Sequence, residues 1–532
     1  MSHKMLSMKG LSLTLLAAIL LIMSGLPALA AANSPMNGSM PVGLSEIMSS
    51  PTYSHSLWGI LVRDIDSNQT LLAINPDMMF VPASTTKLFT VAAALNTLGA
   101  DYRFETPVYA RGEVDSHGHL KGDLVLVGSG DLTLGGRTTE DGRIACTEGD
   151  HTYANYGGST ELTSTDPMAG LRDLARQISE SRIEEVDGDV MVDDRLFATY
   201  QPPMQPALDQ YIVSPIMIND NLIDLEVVPG EPRERAALSW QPKIEGYNVT
   251  SDVMTSEANE SIWYTAYFSE NGGANITIWG EVPAQGGPKV RVIHVPDPAS
   301  FARSLFVEAL KAEGIKVNAS AASLNPSENL PSKEEYSSLD RVACLVSPPF
   351  SENAELILKV SHNLHADTLL SLMAAREGNM TPEDGLVVER AFLDPAGVDL
   401  GSVSLSDGSG GSPANRVTPT AVVQLLSYMV SHRDFESYLD AMCIMNLTND
   451  SIIEQNGLIQ GQFRFKGGDM NYYDTLNQRT LLASMGFGGY IKTASVRRAA
   501  LALYVNSAPG RDIYDTTFTD LKRICKIIYS AY

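Results

Sequence analysis

Alternating apolar and polar residues near both ends of the chain predict antiparallel strands. Leu57 to Ile65 alternates in this way, and a turn at Ser67-Asn68 separates it from a second short strand, Leu71 to Ile74. Near the C-terminus, Gly488 to Lys492 and Ala499 to Asn506 form another strand pair. We expect both pairs to belong to one sheet.

Helical periodicity of the apolar residues marks four other segments. Glycine ends the first of them, since Gly99 follows its last apolar residue. The predicted helical segments are Thr85 to Leu98, Pro298 to Gly314, Ala354 to Ala375 and Phe518 to Tyr529.

Between these segments, residues 113–297 have short strand patterns and Gly/Asp turns with few long helices. The pattern predicts an α+β domain, an antiparallel sheet flanked by helices, that is split in sequence into residues 31–112 and 298–532. The β-rich region 113–297 is inserted between its two segments.

The N-terminal segment, residues 1–30, has the pattern of a signal peptide. Lys4 and Lys9 precede an apolar run from Leu11 to Met23, and Ala28-Leu29-Ala30 resembles a cleavage site. An uncleaved anchor is the alternative, although the run is short for a full membrane span. We therefore expect an exported protein that is periplasmic, cell-surface bound or secreted.

Composition narrows the function classes. The chain has 532 residues, of which 44% are hydrophobic and 19% charged, as in globular proteins. A formal net charge of −25 argues against nucleic-acid binding, which relies on lysine and arginine at phosphates. The four cysteines allow three pairings, and one disulfide or none is expected because export permits disulfides.

The candidate chemistry begins at Ser84-Thr85-Thr86-Lys87, at the start of the first predicted helix. Side chains three residues apart on a helix lie on one face, so Ser84 and Lys87 can exchange a proton. A serine hydroxyl needs a neighbouring base, and a desolvated lysine can be that base. The alternative is an N-cap serine beside a solvated lysine.

Further motifs follow in order along the chain. They are Asn75-Pro-Asp77, Gly122 to Asp131, Asp189 to Asp194, Asn219-Asp-Asn221, Ser361-His362-Asn363, Leu405 to Gly411, and Asn415 to Pro419. Together with Ser84-x-x-Lys87, this series resembles the D-alanyl-D-alanine carboxypeptidase/endopeptidases, low-molecular-mass (class C type) penicillin-binding proteins with large inserted domains.

The resemblance implies a transpeptidase/β-lactamase-like domain that hosts two inserted domains. It also implies that Ser84 is the nucleophile, Lys87 its base, Ser361 a proton relay and Asn363 a substrate-binding residue. The implied substrates are cell-wall peptides, β-lactams are implied as covalent inhibitors, and no cofactor or metal is implied.

The third family motif, Lys-Thr-Gly, is absent. Gapless spacing from Gly489-Tyr490 places Asn477-Gln478-Arg479 at this position, with Arg479 as a substitute cation. The alternative is Lys466-Gly467-Gly468, eleven residues upstream by sequence number. We expect Arg479 to face Ser84, with Lys466 in that place if the chain bulges between them.

Three further interpretations stay open. His362 and His365, with Asp367 nearby, could suggest a metal, but no third convergent ligand is visible and packing histidines are favoured. The missing third motif leaves open, as an alternative to a DD-peptidase, a non-catalytic or weakly active relative that binds peptides or glycans. A serine β-lactamase is the other alternative, which rapid turnover of a β-lactam would identify.

Overall fold

The computed structural model describes residues 40–147, 149–156, 160–202, 211–448 and 457–532. The predicted signal peptide, residues 1–30, lies outside the described residues. Within the described ranges, no helix combines the length and apolar character needed to cross a lipid bilayer.

Helices surround the sheets on several sides. In chain order they are α1 Leu44–Met48, α2 Lys87–Leu98, α3 Ala169–Glu180, α4 Pro298–Ala312, α5 Phe350–Lys359, α6 Asn363–Arg376, α7 Pro382–Leu393, α8 Pro419–Met429, α9 Phe435–Asp440 and α10 Ile513–Ala531. A 3₁₀ turn, Ala83–Thr86, leads directly into α2.

The strands cover most of the remaining chain. They are β1 Leu57–Asp64, β2 Thr70–Ile74, β3 Glu105–Val114, β4 His119–Val127, β5 Glu185–Val186, β6 Val190–Asp193, β7 Leu222–Val228, β8 Ala237–Gln241, β9 Tyr247–Ser256, β10 Ser261–Phe268, β11 Ala274–Pro283, β12 Lys289–His294, β13 Lys316–Val317, β14 Asp340–Val346, β15 Val403–Ser404, β16 Arg416–Val417, β17 Cys443–Asn446, β18 Gln462–Asp474, β19 Arg479–Lys492 and β20 Arg498–Gly510.

The main sheet joins the two ends of the chain, which confirms the predicted split domain. Its strand order is β17-β18-β19-β20-β1-β2, and β1 pairs antiparallel with β20. Strand β20 is buried on both faces. Ala500, Ala502 and Tyr504 enter the core shared with helices α2, α5, α6 and α8, whereas Leu501 and Leu503 enter the core beneath α10.

The inserted region has its own core and is larger than predicted from the sequence. Its main sheet has the order β13-β5-β4-β3-β14, and β6 also pairs with β4. Val108 on β3, Phe306 on α4 and Ala343 on β14 share one core. The expected return to the first domain at Pro298 is therefore wrong, since α4 packs with the inserted region.

Two smaller sheets complete the inserted region. Strands β10-β11-β9 form one sheet and β12-β7-β8 the other. Inward residues such as Ile276 and Ile278 join the same core as the larger sheet. The four cysteines, Cys146, Cys344, Cys443 and Cys525, are all free.

A buried ionic cluster connects the inserted region with α6. We call it the junction cluster: Arg137, Asp150, His151, Asp220, Asp224 and His365. Arg137 donates to Asp150 and to Asp220, with the shortest bond to each at 2.7 Å. His365 Nε2 lies 2.7 Å from Asp220 Oδ1. Buried charges are stable only when paired, so the cluster fixes the register of α6 against the insertion.

His151 is the titratable member of the junction cluster in the neutral to alkaline range. Its Nδ1 lies 2.7 Å from Asp224 and its Nε2 2.8 Å from Asp220, so only the imidazolium satisfies both acceptors. Burial opposes the charged form, but these carboxylates outweigh it and raise the pKa of His151 to about 10.

Stability should therefore fall as the pH rises through this window. The contribution of His151 is complete below the unfolded-state pKa of about 6.5 and is lost progressively up to about pH 10. We expect the Tm of the wild type to decline over that range, and the decline to be smaller for His151→Gln. Exposed His117→Gln is the matched control and should retain the wild-type slope. Parallel Tm curves for wild type and His151→Gln would contradict the assignment.

Candidate active site

Ser84 lies in the 3₁₀ turn that precedes α2. Thr85, Thr86 and Lys87 around it are buried, whereas Ser84 is partly accessible. The preceding Ala83 has a φ of 46°, a conformation that non-glycine residues adopt rarely. The strained turn thus presents the hydroxyl group at the positive end of a helix, where it faces open space.

Lys87 is fully buried, and its Nζ contacts three oxygens. It donates to Ser84 Oγ at 2.9 Å, to Asn363 Oδ1 at 2.7 Å and to the Ser409 carbonyl at 2.7 Å. Burial lowers the pKa of Lys87 well below its usual range, and the nearby charge of Lys466 lowers it further. The Lys87 amine is thereby suited to accept a proton from Ser84.

The second motif occupies a break between two helices. The sequence predicted helical patterning across Ala354 to Ala375, but α5 ends at Lys359 and α6 begins at Asn363. Ser361 lies in this break with a φ of 70°. Tyr153, from the inserted region, donates to the Ser361 carbonyl at 2.5 Å and so supports the strained turn.

Strand β18 forms a further side of the site, and Lys466 lies on the edge of this strand that faces the site. Lys466 Nζ donates to Ser361 Oγ at 2.9 Å and to the Gly467 carbonyl at 2.7 Å. Burial lowers the pKa of Lys466 to about 8. A Cβ on Gly468 would lie 2.6 Å from the Ser84 amide nitrogen, so this strand passes directly over Ser84.

Arg479 is not at the site, so the gapless alignment of the third motif is wrong. It is the first residue of β19, next to the β18–β19 turn, where its Nε lies 3.1 Å from Asp474 Oδ2. The hairpin is longer than the gapless spacing assumed, since Lys466 pairs with Gly488 and Asp474 with Arg479. The alternative, Lys466-Gly467-Gly468, is therefore the segment that faces Ser84.

The glycine-rich segment Leu405 to Gly411 forms a tight turn against Ala83 and Ser84. A Cβ on Gly410, whose φ is 88°, would lie 1.9 Å from the Ala83 carbonyl oxygen. Asp367 Oδ1 accepts from the amides of Gly408 and Ser409 at 2.8 Å each. Burial, together with the charge of Asp407, raises the pKa of Asp367 to about 7. Asp367 thus positions the Ser409 carbonyl that accepts from Lys87.

These elements enclose a cleft of about 510 Å³. Its walls include Ser84, Ser361 and Asn363, which the sequence predicted, and others that it did not. Among the latter are Tyr153, Tyr156, Asp469 and Tyr514. Asp469 could have been predicted as a cleft residue, because it directly follows Lys466-Gly467-Gly468. It was missed because Arg479 was expected to occupy the site instead.

Among the described residues, His362 and His365 do not form a metal-ligand group with Asp367. Asp220 is the third convergent group: ligand-capable atoms of Asp220, His362 and His365 lie within 4.8 Å of one another. However, Asp220 already accepts hydrogen bonds from Arg137 and His365, and the Arg137 charge disfavours a second cation there. These residues fit an ionic network better than a metal centre.

Comparison with known proteins identifies the family of the chain. The model of the D-Ala-D-Ala carboxypeptidase 3 (S13) family matches residues 42–517. The D-alanyl-D-alanine carboxypeptidase of Actinomadura sp. (strain R39) is 28% identical over 417 residues, 75% of this chain and 69% of that protein.

Solved structures show the same fold. Penicillin binding protein 4 (dacB) from Haemophilus influenzae matches with a TM-score of 0.66 at 20% identity, over 89% of this chain and 95% of that chain. Its complex with a β-lactam matches with a TM-score of 0.65 at 19% identity, over 92% of this chain and 100% of that chain. The chain described here therefore belongs to the S13 family of D-alanyl-D-alanine carboxypeptidases, which are serine-type DD-peptidases.

Proposed function

We propose that the chain is an exported DD-peptidase that cleaves D-alanyl bonds of cell-wall peptides through an acyl-Ser84 intermediate. The contact that carries the proposal is the Lys87 amine, 2.9 Å from Ser84 Oγ in a desolvated site. Export rests on the signal-peptide pattern of residues 1–30.

Acylation begins when neutral Lys87 takes the Ser84 proton and Ser84 Oγ attacks the D-alanyl carbonyl. The Ser84 amide and a backbone amide of β18 stabilise the oxyanion. Asn363 keeps Lys87 in place and orients the substrate amide.

Collapse of the tetrahedral intermediate breaks the peptide bond and needs a proton on the leaving nitrogen. Ser361, hydrogen-bonded to Lys466, delivers that proton. Water then attacks the acyl-enzyme, and the same groups assist the reverse proton transfers.

The position of Lys466 weakens the case for a non-catalytic relative. That alternative was motivated by the missing Lys-Thr-Gly motif, but a lysine does lie beside Ser361. Gly467 lacks the hydroxyl group of the usual threonine, so one polar contact to the substrate is lost. A functional but altered cleft follows from these residues.

The assignment of the nucleophile is tested by covalent labelling with a fluorescent penicillin. Ser84→Ala should abolish the label, and Lys87→Ala should slow acylation by about a hundredfold or more, the usual effect of losing a general base. Intact mass measures the adduct. Persistence of the label in Ser84→Ala would refute the assignment, and rapid release of hydrolysed penicillin would identify a β-lactamase instead.

The third motif is tested by a matched pair of cation removals on one hairpin. Lys466→Gln should slow penicillin acylation on the order of a hundredfold, because the cation beside Ser361 is lost. Arg479→Gln should stay within about twofold of wild type, because Arg479 pairs with Asp474 at the hairpin turn and does not line the cleft. Acylation rates are measured by stopped flow. A larger loss of rate in Arg479→Gln than in Lys466→Gln would contradict this assignment and indicate that Arg479 is the site residue.

Neighbouring glycines offer a second matched pair. Gly468→Ala should slow acylation on the order of a hundredfold, because its Cβ would displace the backbone at Ser84 and Thr85. Gly467→Ala should be tolerated, since its Cβ would meet only side-chain atoms at 3.5 Å or more. Circular dichroism melting checks that both variants fold. Equal acylation rates for the two variants would contradict the close approach of β18 to the nucleophile.

A further inference from the structure

Asp469 places a carboxylate in the catalytic cleft. It follows Gly468 on β18, its side chain is exposed, and it lines the same cavity as Ser84 and Ser361. Asp469 makes no ion pair within 4 Å among the described residues, so its charge is available to a bound molecule. A carboxylate without an ion-pair partner in this cleft can contribute to the recognition of a bound substrate.

The strand edge next to Asp469 is open to a substrate. Strand β17 pairs with β18 only over Gln462 to Phe465, and the described residues leave Lys466 onward unpaired on that side. An extended peptide can add to such an edge through its backbone. The substrate would then run past Lys466 and Asp469.

The need to protonate the leaving nitrogen determines which part of the substrate lies at this strand edge. In the proposed mechanism Ser361, hydrogen-bonded to Lys466, protonates the leaving nitrogen, so the group attached to that nitrogen lies beside these two residues. In a peptide ending in D-alanine, the carboxylate is separated from the leaving nitrogen by one carbon atom. That carboxylate would therefore approach Asp469 as well as Lys466.

The two charges on β18 act in opposite directions on such a substrate. Lys466 attracts a carboxylate, whereas Asp469 repels it and offsets part of the Lys466 field. The charges influence one another, since Asp469 opposes the lowering of the pKa of both lysines, Lys87 and Lys466. Burial raises the pKa of Asp469, and the two lysines oppose that rise. A neutral or cationic group at this position avoids the repulsion.

On the basis of the proposed function, we infer that Asp469 determines the leaving-group specificity of this peptidase. It disfavours peptides with a free terminal carboxylate beside the scissile bond. It favours D-alanyl bonds whose leaving group has an amide or an amine in place of that carboxylate.

Three peptides with one acyl half test this inference. Each carries diacetyl-L-lysyl-D-alanine, followed by D-alanine with a free carboxylate, by D-alanine amide, or by D-2,3-diaminopropionic acid amide. Wild type should have its lowest kcat/KM on the carboxylate and its highest on the amine-bearing peptide. Release of the leaving group is measured by mass spectrometry.

Substitution of Asp469 should shift this ranking. Asp469→Asn should raise kcat/KM for the carboxylate peptide on the order of tenfold and lower it for the amine-bearing peptide by a similar factor. Asp469→Glu should keep the wild-type ranking because it keeps the charge. Asp474→Asn, on the same strand but outside the cleft, is the matched control and should change neither value.

The outcomes separate this inference from the proposed function. If wild type cleaves the peptides but Asp469→Asn leaves their ratio unchanged, the inference is overturned and the DD-peptidase function stands. A wild-type preference for the free carboxylate over the amide overturns it equally. If wild type cleaves none of the peptides and Ser84 takes no penicillin label, the proposed function fails, and the inference fails with it.

Discussion

The site depends on the desolvation of one amine. Lys87 is buried beneath Ser84, and its Nζ is held by a hydroxyl, a side-chain amide oxygen and a backbone carbonyl. A lysine in water would remain protonated and could not act as a base at neutral pH. The surrounding elements therefore have two functions: they exclude water from Lys87, and they supply acceptors in fixed directions.

Each acceptor of Lys87 comes from a different part of the chain. Ser84 is on the turn before α2, Asn363 begins α6, and Ser409 lies in the glycine-rich turn. Asp367 holds that turn from the body of α6. Displacement of any of these elements would leave the amine unsatisfied or hydrated, so the packing of the whole domain determines the proton affinity of one group.

The inserted region is part of this arrangement, although none of the proton-transfer groups in the proposed mechanism comes from it. Tyr153 supports the Ser361 turn, and the junction cluster fixes α6 through His365. Insertions are often regarded as accessories, but this one shapes both the backbone at Ser361 and a wall of the cleft. Its tyrosines are therefore in a position to influence which peptides enter.

The sequence predicted the split sheet and the first two motifs because their signals are local. Alternation identified β1 and β20, and the Ser84–Lys87 spacing needs only one helical turn. The sequence pattern placed Arg479 rather than Lys466 at the third motif, because local periodicity does not reveal the length of a hairpin. Counting back from Gly489 without a gap assumed a shorter hairpin than the one formed by β18 and β19. The boundary at Pro298 failed for a related reason: helical periodicity in α4 does not reveal which core its apolar face enters.

The pairing of β1 with β20 bears on how the protein reaches its folded state. Strands from opposite ends of the chain must meet before the main sheet closes, and Ser84 cannot approach Ser361 until they do. Such non-local contacts make folding slow and place it late relative to synthesis. Ser84 therefore meets Ser361 and Lys466 only after nearly the entire chain is available, so truncated or partly folded forms lack this arrangement.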